Sequence, residues 1–123
     1  MPTTFDDDEV PTVQFDPRLE ISPFLVFKRL RDQKPLALVD VRREPGLERL
    51  RGAEAWSEDW KPPEDRQVVL FDHDGAEALP LAERYQSEGH ANVKALFGGL
   101  QLWRFSLDPE VVGQDTFLET DAD

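Results

Sequence analysis

The stretch Val68-Val69-Leu70-Phe71-Asp72-His73-Asp74-Gly75-Ala76-Glu77-Ala78 constrains the fold of this chain more than any other segment. Its four apolar residues read as an enclosed parallel strand, because a strand covered on both faces carries apolar side chains at consecutive rather than alternate positions. Helical spacing takes over at Ala78 and runs to Glu88, where Gly89 supplies a natural helix end. A strand that passes through so short a loop into a helix opens, in an α/β sheet, on the crevice beyond the strands' carboxyl ends where ligands usually bind. Here that crevice is lined by Asp72, Asp74 and Glu77 and contains no thiol.

The rest of the chain repeats the alternation. Ser22 followed by Pro23 predicts a helix start, the hydroxyl accepting an orphan N–H and the ring preset for the first turn. Phe24, Phe27 and Leu30 then recur at helical spacing as the inward face, and Pro35 closes the helix. Leu36 to Val41 reads as a second buried strand, followed by a polar loop that reaches Gly52-Ala53. Between Glu54 and Arg66 there is no period, so Trp56, Trp60, Pro62 and Pro63 predict an irregular connection folded onto the core. Pro80 falls in the first turn of the helix after Asp72, where its missing N–H costs little, and Leu81, Ala82 and Tyr85 face inward. Val93 to Leu96 is a further strand, Gly98-Gly99 a sharp turn, and Leu100 to Phe105 a short helix carrying Trp103. Strands alternating with helices call for a parallel sheet with helices on both faces.

At 123 residues the chain is long enough for one apolar core and too short for two. It has no cysteine, which removes thiolate nucleophiles and thiolate metal sites together. No apolar run of about 18 residues and no basic segment leading into an apolar one is present, so neither a membrane span nor a secretory signal is expected, and the default location is cytoplasmic. The net charge of −12 is gathered at the two ends. Residues 1–20 carry Asp6, Asp7, Asp8, Glu9, Asp16 and Glu20 against Arg18, and residues 105–123 carry Asp108, Glu110, Asp115, Glu119, Asp121 and Asp123 without a base. Such ends repel phosphate backbones, which argues against nucleic acid as a partner. Val10, Val13 and Phe15 in the first, and Phe117 with Leu118 in the second, suggest that parts of both lie on the body.

In this order the chain resembles a single rhodanese-homology domain over about residues 19–105. The resemblance rests on Asp40-Val41-Arg42 at the end of a strand, Gly52-Ala53, the strand Val68 to Phe71 leading into a loop with Gly75, Gly89 at a helix end, and Gly98-Gly99 before Trp103. It implies a central parallel sheet of about five strands with helices on both faces, flanked by an acidic N-terminal extension (1–18) and an acidic C-terminal tail (106–123). It also implies that the residue after the strand, in that family a cysteine carrying a persulfide, is here Asp72. The segment Asp72, His73, Asp74, Gly75, Ala76, Glu77 and Ala78 is then a degenerate active-site loop, and Asp40 and Arg42 tie strand end to loop. A carboxylate oxygen cannot hold sulfane sulfur through a turnover, so sulfur transfer at Asp72 is excluded chemically and no cofactor is implied. Amides at a helix N-terminus attract negative charge whatever bears it, and Asp72 is expected to supply that charge from within.

Two other readings compete. Phe71-Asp72-His73-Asp74-Gly75 is similar to the first motif of the haloacid-dehalogenase phosphatases, with Asp72 as phosphoryl acceptor and Asp74 as the acid in an Mg²⁺-dependent reaction. That site needs a distant lysine and a further acidic pair on later strands, and after Asp74 the chain has Lys94 as its sole lysine and one clear strand. A bare metal site built from Asp72, His73, Asp74 and Glu77 lacks the spacing of a calcium hand or zinc centre, so no metal is expected. The remaining expectation is a non-catalytic binding or regulatory module. Its surface is the loop Asp72 to Glu77 with the neighbouring Trp56 to Trp60 segment, its partner a basic protein, and its alternative a homodimer formed through Phe15 or Phe117.

Overall fold

The computed structural model describes residues 15–42, 48–107, 109–113 and 115–120. A parallel five-stranded sheet runs in the order β1-β6-β5-β2-β4. Its strands are β1 (Glu20–Ile21), β2 (Leu36–Asp40), β4 (Glu54–Ala55), β5 (Gln67–Phe71) and β6 (Val93–Leu96). The helices are α1 (Pro23–Arg31), α2 (Ala78–Ser87), α3 (Gly99–Ser106) and the single turn α4 (Pro109–Val112). This is the α/β architecture expected from the alternating pattern.

Side chains alternate across a strand, so β5 feeds two cores at once. Val69 and Phe71 join Val26 and Phe27 of α1 and Leu100 and Trp103 of α3 on one face. Val68 and Leu70 join Ala78, Ala82 and Tyr85 of α2 on the other. The four apolar residues of β5, Val68 to Phe71, are fully buried, which explains why the sequence shows a continuous apolar run there. Helices as short as α1 and α3 are marginal in isolation, so their stability comes from these packed faces rather than from propensity.

Ser22 caps α1 as expected, its hydroxyl accepting the Leu25 N–H at 3.2 Å. The inward face, however, is Pro23, Val26, Phe27 and Leu30; Phe24 points outward and is 58% exposed. Phe24 sits one residue off the stripe that Pro23, Phe27 and Leu30 define, and so faces solvent although its spacing to Phe27 and Leu30 is helical. Two segments expected to be irregular hold short strands. β4 lengthens the sheet beside β2, with Val39 opposite Glu54 and Asp40 opposite Ala55. β3 (Glu48–Leu50) pairs antiparallel with β7 (Leu118–Thr120), Leu50 facing Leu118. Strands of two or three residues carry no readable period and form because a neighbouring backbone edge is within reach.

Through β7 the acidic C-terminal stretch is fastened to the body. The Trp103 indole N–H donates to the buried carbonyl of Thr116 at 3.1 Å. Phe117, at φ 67°, packs its ring edge-on against Phe27 at 6.0 Å, and the Arg51 guanidinium lies over it at 5.4 Å. Arg51 also pairs with Asp115 at 2.7 Å and with Glu119 at 2.6 Å. At the other end Phe15 rests edge-on against Phe97 at 5.3 Å. Val10 and Val13 lie outside the described residues. No helix among those described is long and apolar enough to cross a membrane.

The Phe117 N–H, and after it the Arg51 guanidinium, hold the Asp115 carboxyl below the ordinary carboxylate range. A lowered folded-state value contributes stability that is present above the unfolded value of about 3.9 and is lost as pH falls through the folded one. The expected outcome for Asp115→Asn is a slightly lower melting temperature at pH 7. The gap to the parent closes as pH drops below about 4, read by thermal unfolding across a pH series.

Candidate functional site

Parallel register places Asp40 opposite Phe71, so β2 and β5 end side by side and the residues that follow them share one end of the sheet. Asp72 is the first residue past β5 and is 2% exposed. A carboxylate so buried has to be paired or hydrogen-bonded, and this one is bonded on both oxygens. Oδ1 accepts the Gly75 N–H at 2.6 Å, while Oδ2 accepts the Glu77 N–H at 2.6 Å and the Ala78 N–H at 3.3 Å. Glu77, at the N-cap position of α2, makes no side-chain cap bond. The cap comes instead from Asp72, five residues upstream, whose negative charge also faces the positive end of the helix.

The loop is held from its other side by α3. The N–H of Leu100 donates to the Asp72 carbonyl at 2.9 Å and that of Gln101 to the His73 carbonyl at 2.8 Å. This contact requires the absence of a side chain at position 99. A Cβ on Gly99 would lie 2.5 Å from Asp74 N and 2.6 Å from Asp72 O, and its φ of +62° is unfavourable for any other residue. Within the loop Asp74 closes its own turn, accepting the Ala76 N–H at 3.0 Å, and Gly75 takes φ +95°. His73, Asp74, Ala76 and Glu77 are exposed. Among the described residues no three His, Asp or Glu side chains converge where they could hold a metal ion.

Asp40 and Arg42 form a buried bidentate pair, Nε to Oδ1 at 2.9 Å and Nη2 to Oδ2 at 2.7 Å. Nη2 donates again to the Glu48 carbonyl at 2.8 Å, so the pair ties the end of β2 to β3, and no hydrogen bond joins it to the 72–78 loop among the described residues. The Arg42 Nη1 is buried with no acceptor there. Trp56 donates its indole N–H to the Tyr85 hydroxyl at 2.9 Å, and Trp60 meets the same ring edge-on at 5.4 Å. The aromatic segment thus lies against α2, and Trp56 and Glu77 line one cleft of about 570 Å³ together with Arg42 and Leu81. The contributions of Leu81 and Arg84 to this cleft were not anticipated from sequence, since neither is unusual in an amphipathic helix. The seat for the loop at Gly99 could have been inferred from the doubled glycine.

No family model matches the chain, and no curated protein matches it in sequence. Solved structures do. A rhodanese-related protein from Thermoplasma volcanium is 18% identical with a TM-score of 0.60, over 72% of this chain and 93% of that one. A protein from Bacillus halodurans is 16% identical with a TM-score of 0.64, over 87% and 83%. A protein of unknown function from Rhodopseudomonas palustris, named a possible tyrosine phosphatase, is 18% identical with a TM-score of 0.59, over 86% and 96%. At such identities the likeness is one of fold, and the fold is rhodanese-like.

Gly99→Ala is expected to destabilise by roughly 2–5 kcal/mol, combining a left-handed backbone penalty with displacement of the loop. Gly52→Ala is the control: its φ is +82° but its Cβ would meet nothing within 4 Å, so it carries the backbone penalty alone. Urea unfolding of the two variants separates the contributions, and equal losses would remove the role given to Gly99.

Proposed function

We propose that this chain is a non-catalytic binding module on a rhodanese-like fold, working in the cytoplasm. The observation that carries the proposal is the Asp72 carboxylate seated on the amides of Gly75, Glu77 and Ala78. Those N–H groups are where such a loop would receive a substrate's negative charge, and here the protein's own side chain has taken them. Asp74 and Glu77, exposed at the mouth, add a field that disfavours incoming anions. What remains for this end of the molecule is recognition, and the acidic loop with the acidic terminal stretches favours a basic protein partner by steering its approach.

The Mg²⁺-dependent phosphatase alternative asks Asp72 to attack phosphorus. Against it stand the engagement of both carboxylate oxygens and an exposure of 2%. The homodimer alternative asks Phe15 or Phe117 to be offered to a second copy; Phe117 packs on Phe27 of its own chain, and Phe15, though 43% exposed, already rests edge-on against Phe97.

Three outcomes follow. The parent protein should show no binding of sulfate or thiosulfate at the amides of residues 75–78 in an NMR titration. Asp72→Ala should lose about 2–4 kcal/mol through unpaired donors and regain part of it when sulfate fills the vacated place. Anion binding at those amides in the parent would overturn the proposal. In an assay with thiosulfate, Asp72→Cys should show little sulfurtransferase turnover, because Asp74 and Glu77 raise the thiol pKa and repel the donor. Robust turnover would mean that the pocket is still built for sulfur.

A further inference from the structure

Helix α3 carries apolar side chains on two sides. Leu100 and Trp103 face the core and are buried, whereas Leu102 and Phe105 lie on another side, and Phe105 is 84% exposed. Together with Phe97 they line a groove of about 780 Å³. Asp74 stands at the end of the groove where α3 begins, and Arg104 lies towards the other end. A helix with a second apolar stripe is normally covered on that side as well. The cover has already begun, because the Phe15 ring stands edge-on against Phe97 at 5.3 Å.

Phe15 is held in place by the residues that follow it. The Asp16 carbonyl accepts the Glu20 N–H at 2.7 Å, and the Asp16 N–H donates to the buried Glu20 carboxylate at 2.9 Å, which fixes the turn into β1. The chain therefore reaches Phe15 at the Phe97 end of the groove. Reading back from that point the sequence supplies Val13 and Val10, and then the acidic run Asp6 to Glu9. An extended chain advances about 3.3 Å per residue, so the stretch from Phe15 back to Val10 spans about 16 Å. That is enough to run the length of α3, whose eight residues rise about 12 Å. Charge sets the same direction. An acidic run is repelled by Asp74 at the near end and attracted by Arg104 at the far one. Arg104 pairs with Glu48, yet its side chain is 47% exposed and a guanidinium has five N–H donors to offer.

We propose that the groove along α3 is a docking site for the chain's own N-terminal segment, with Val13 and Val10 covering Leu102 and Phe105 and the run Asp6 to Glu9 arriving beside Arg104. Occupancy of this groove does not depend on what the 72–78 loop recognises, although Asp74 belongs to both. A cavity of about 470 Å³ lined by Lys28, Arg29, Lys34 and Arg66 has the charge for an acidic run. It lies where β2 and β5 begin, however, at the opposite end of the parallel sheet from Phe97, and Phe15 starts the chain along α3 instead.

The test uses the full chain, labelled with ¹³C and ¹⁵N, and reads nuclear Overhauser contacts. Contacts are expected from the Val13 methyls to Leu102 and from the Val10 methyls to the Phe105 ring. In an equal mixture of labelled and unlabelled chains, isotope-filtered spectra retain only contacts between copies, and the same contacts should be missing there. Phe105→Ser, at an exposed position, should lose the Val10 contacts and keep the one between Phe15 and Phe97. Val10→Ser combined with Val13→Ser should shift the amides of Leu102 to Ser106. Contacts that survive the filter would give the groove to a second copy and overturn the proposal. It is overturned as well if neither valine touches α3 in any spectrum, or if the shifts in the double variant fall on Lys28 to Lys34 and Arg66 instead.

Discussion

A carboxylate buried against the start of a helix organises this molecule. Asp72 satisfies the amides of Gly75, Glu77 and Ala78 from a position where water has almost no access. Each such donor left unpaired costs about 1–3 kcal/mol, so the carboxylate that pairs them carries a substantial share of the stability of a small domain. The same residue's carbonyl receives the Leu100 N–H of α3, so one residue links the strand it follows, the helix it caps and the helix on the opposite face. The path of the loop, the bare backbone at Gly99 and the exposure of Asp74 and Glu77 all follow from that seat.

The arrangement also separates two kinds of polar burial within the same end of the sheet. Around Asp72 every donor that reaches the carboxylate has its acceptor. A short distance away Arg42 is fully matched in charge by Asp40 yet keeps one N–H without a partner among the described residues. The first is closed and self-sufficient; the second is buried beside a cleft lined by Val41, Trp56 and Leu81.

Much of this was legible in the sequence, and the parts that were not have physical causes. The strands β2, β5 and β6 are buried on both faces and announce themselves as short apolar runs, and Ser22-Pro23 marks the start of α1 by its own cap chemistry. The strands β3, β4 and β7 are too short for any period, and they exist only because a partner edge lies alongside. Phe24 misled because helical spacing gives a stripe but not which of two adjacent residues faces the core. At the site, Asp72 could be located from the strand that precedes it. The Arg42 nitrogen that has no partner among the described residues and the cleft shared by Trp56 and Glu77 arise from tertiary packing, for which the local sequence holds no signal.

The three indoles are divided between the two faces of the sheet. Trp103 is buried on the α1–α3 face and bonded to Thr116, while Trp56 and Trp60 lie on the α2 side against Tyr85. Intrinsic ultraviolet emission from this protein is accordingly a composite of two local readouts: one dry chromophore that senses attachment of the C-terminal strand, and two half-hydrated ones that sense the opposite layer. Replacing Trp103 alone by phenylalanine converts the spectrum into a one-sided optical gauge, and the native chain needs no attached dye for either measurement.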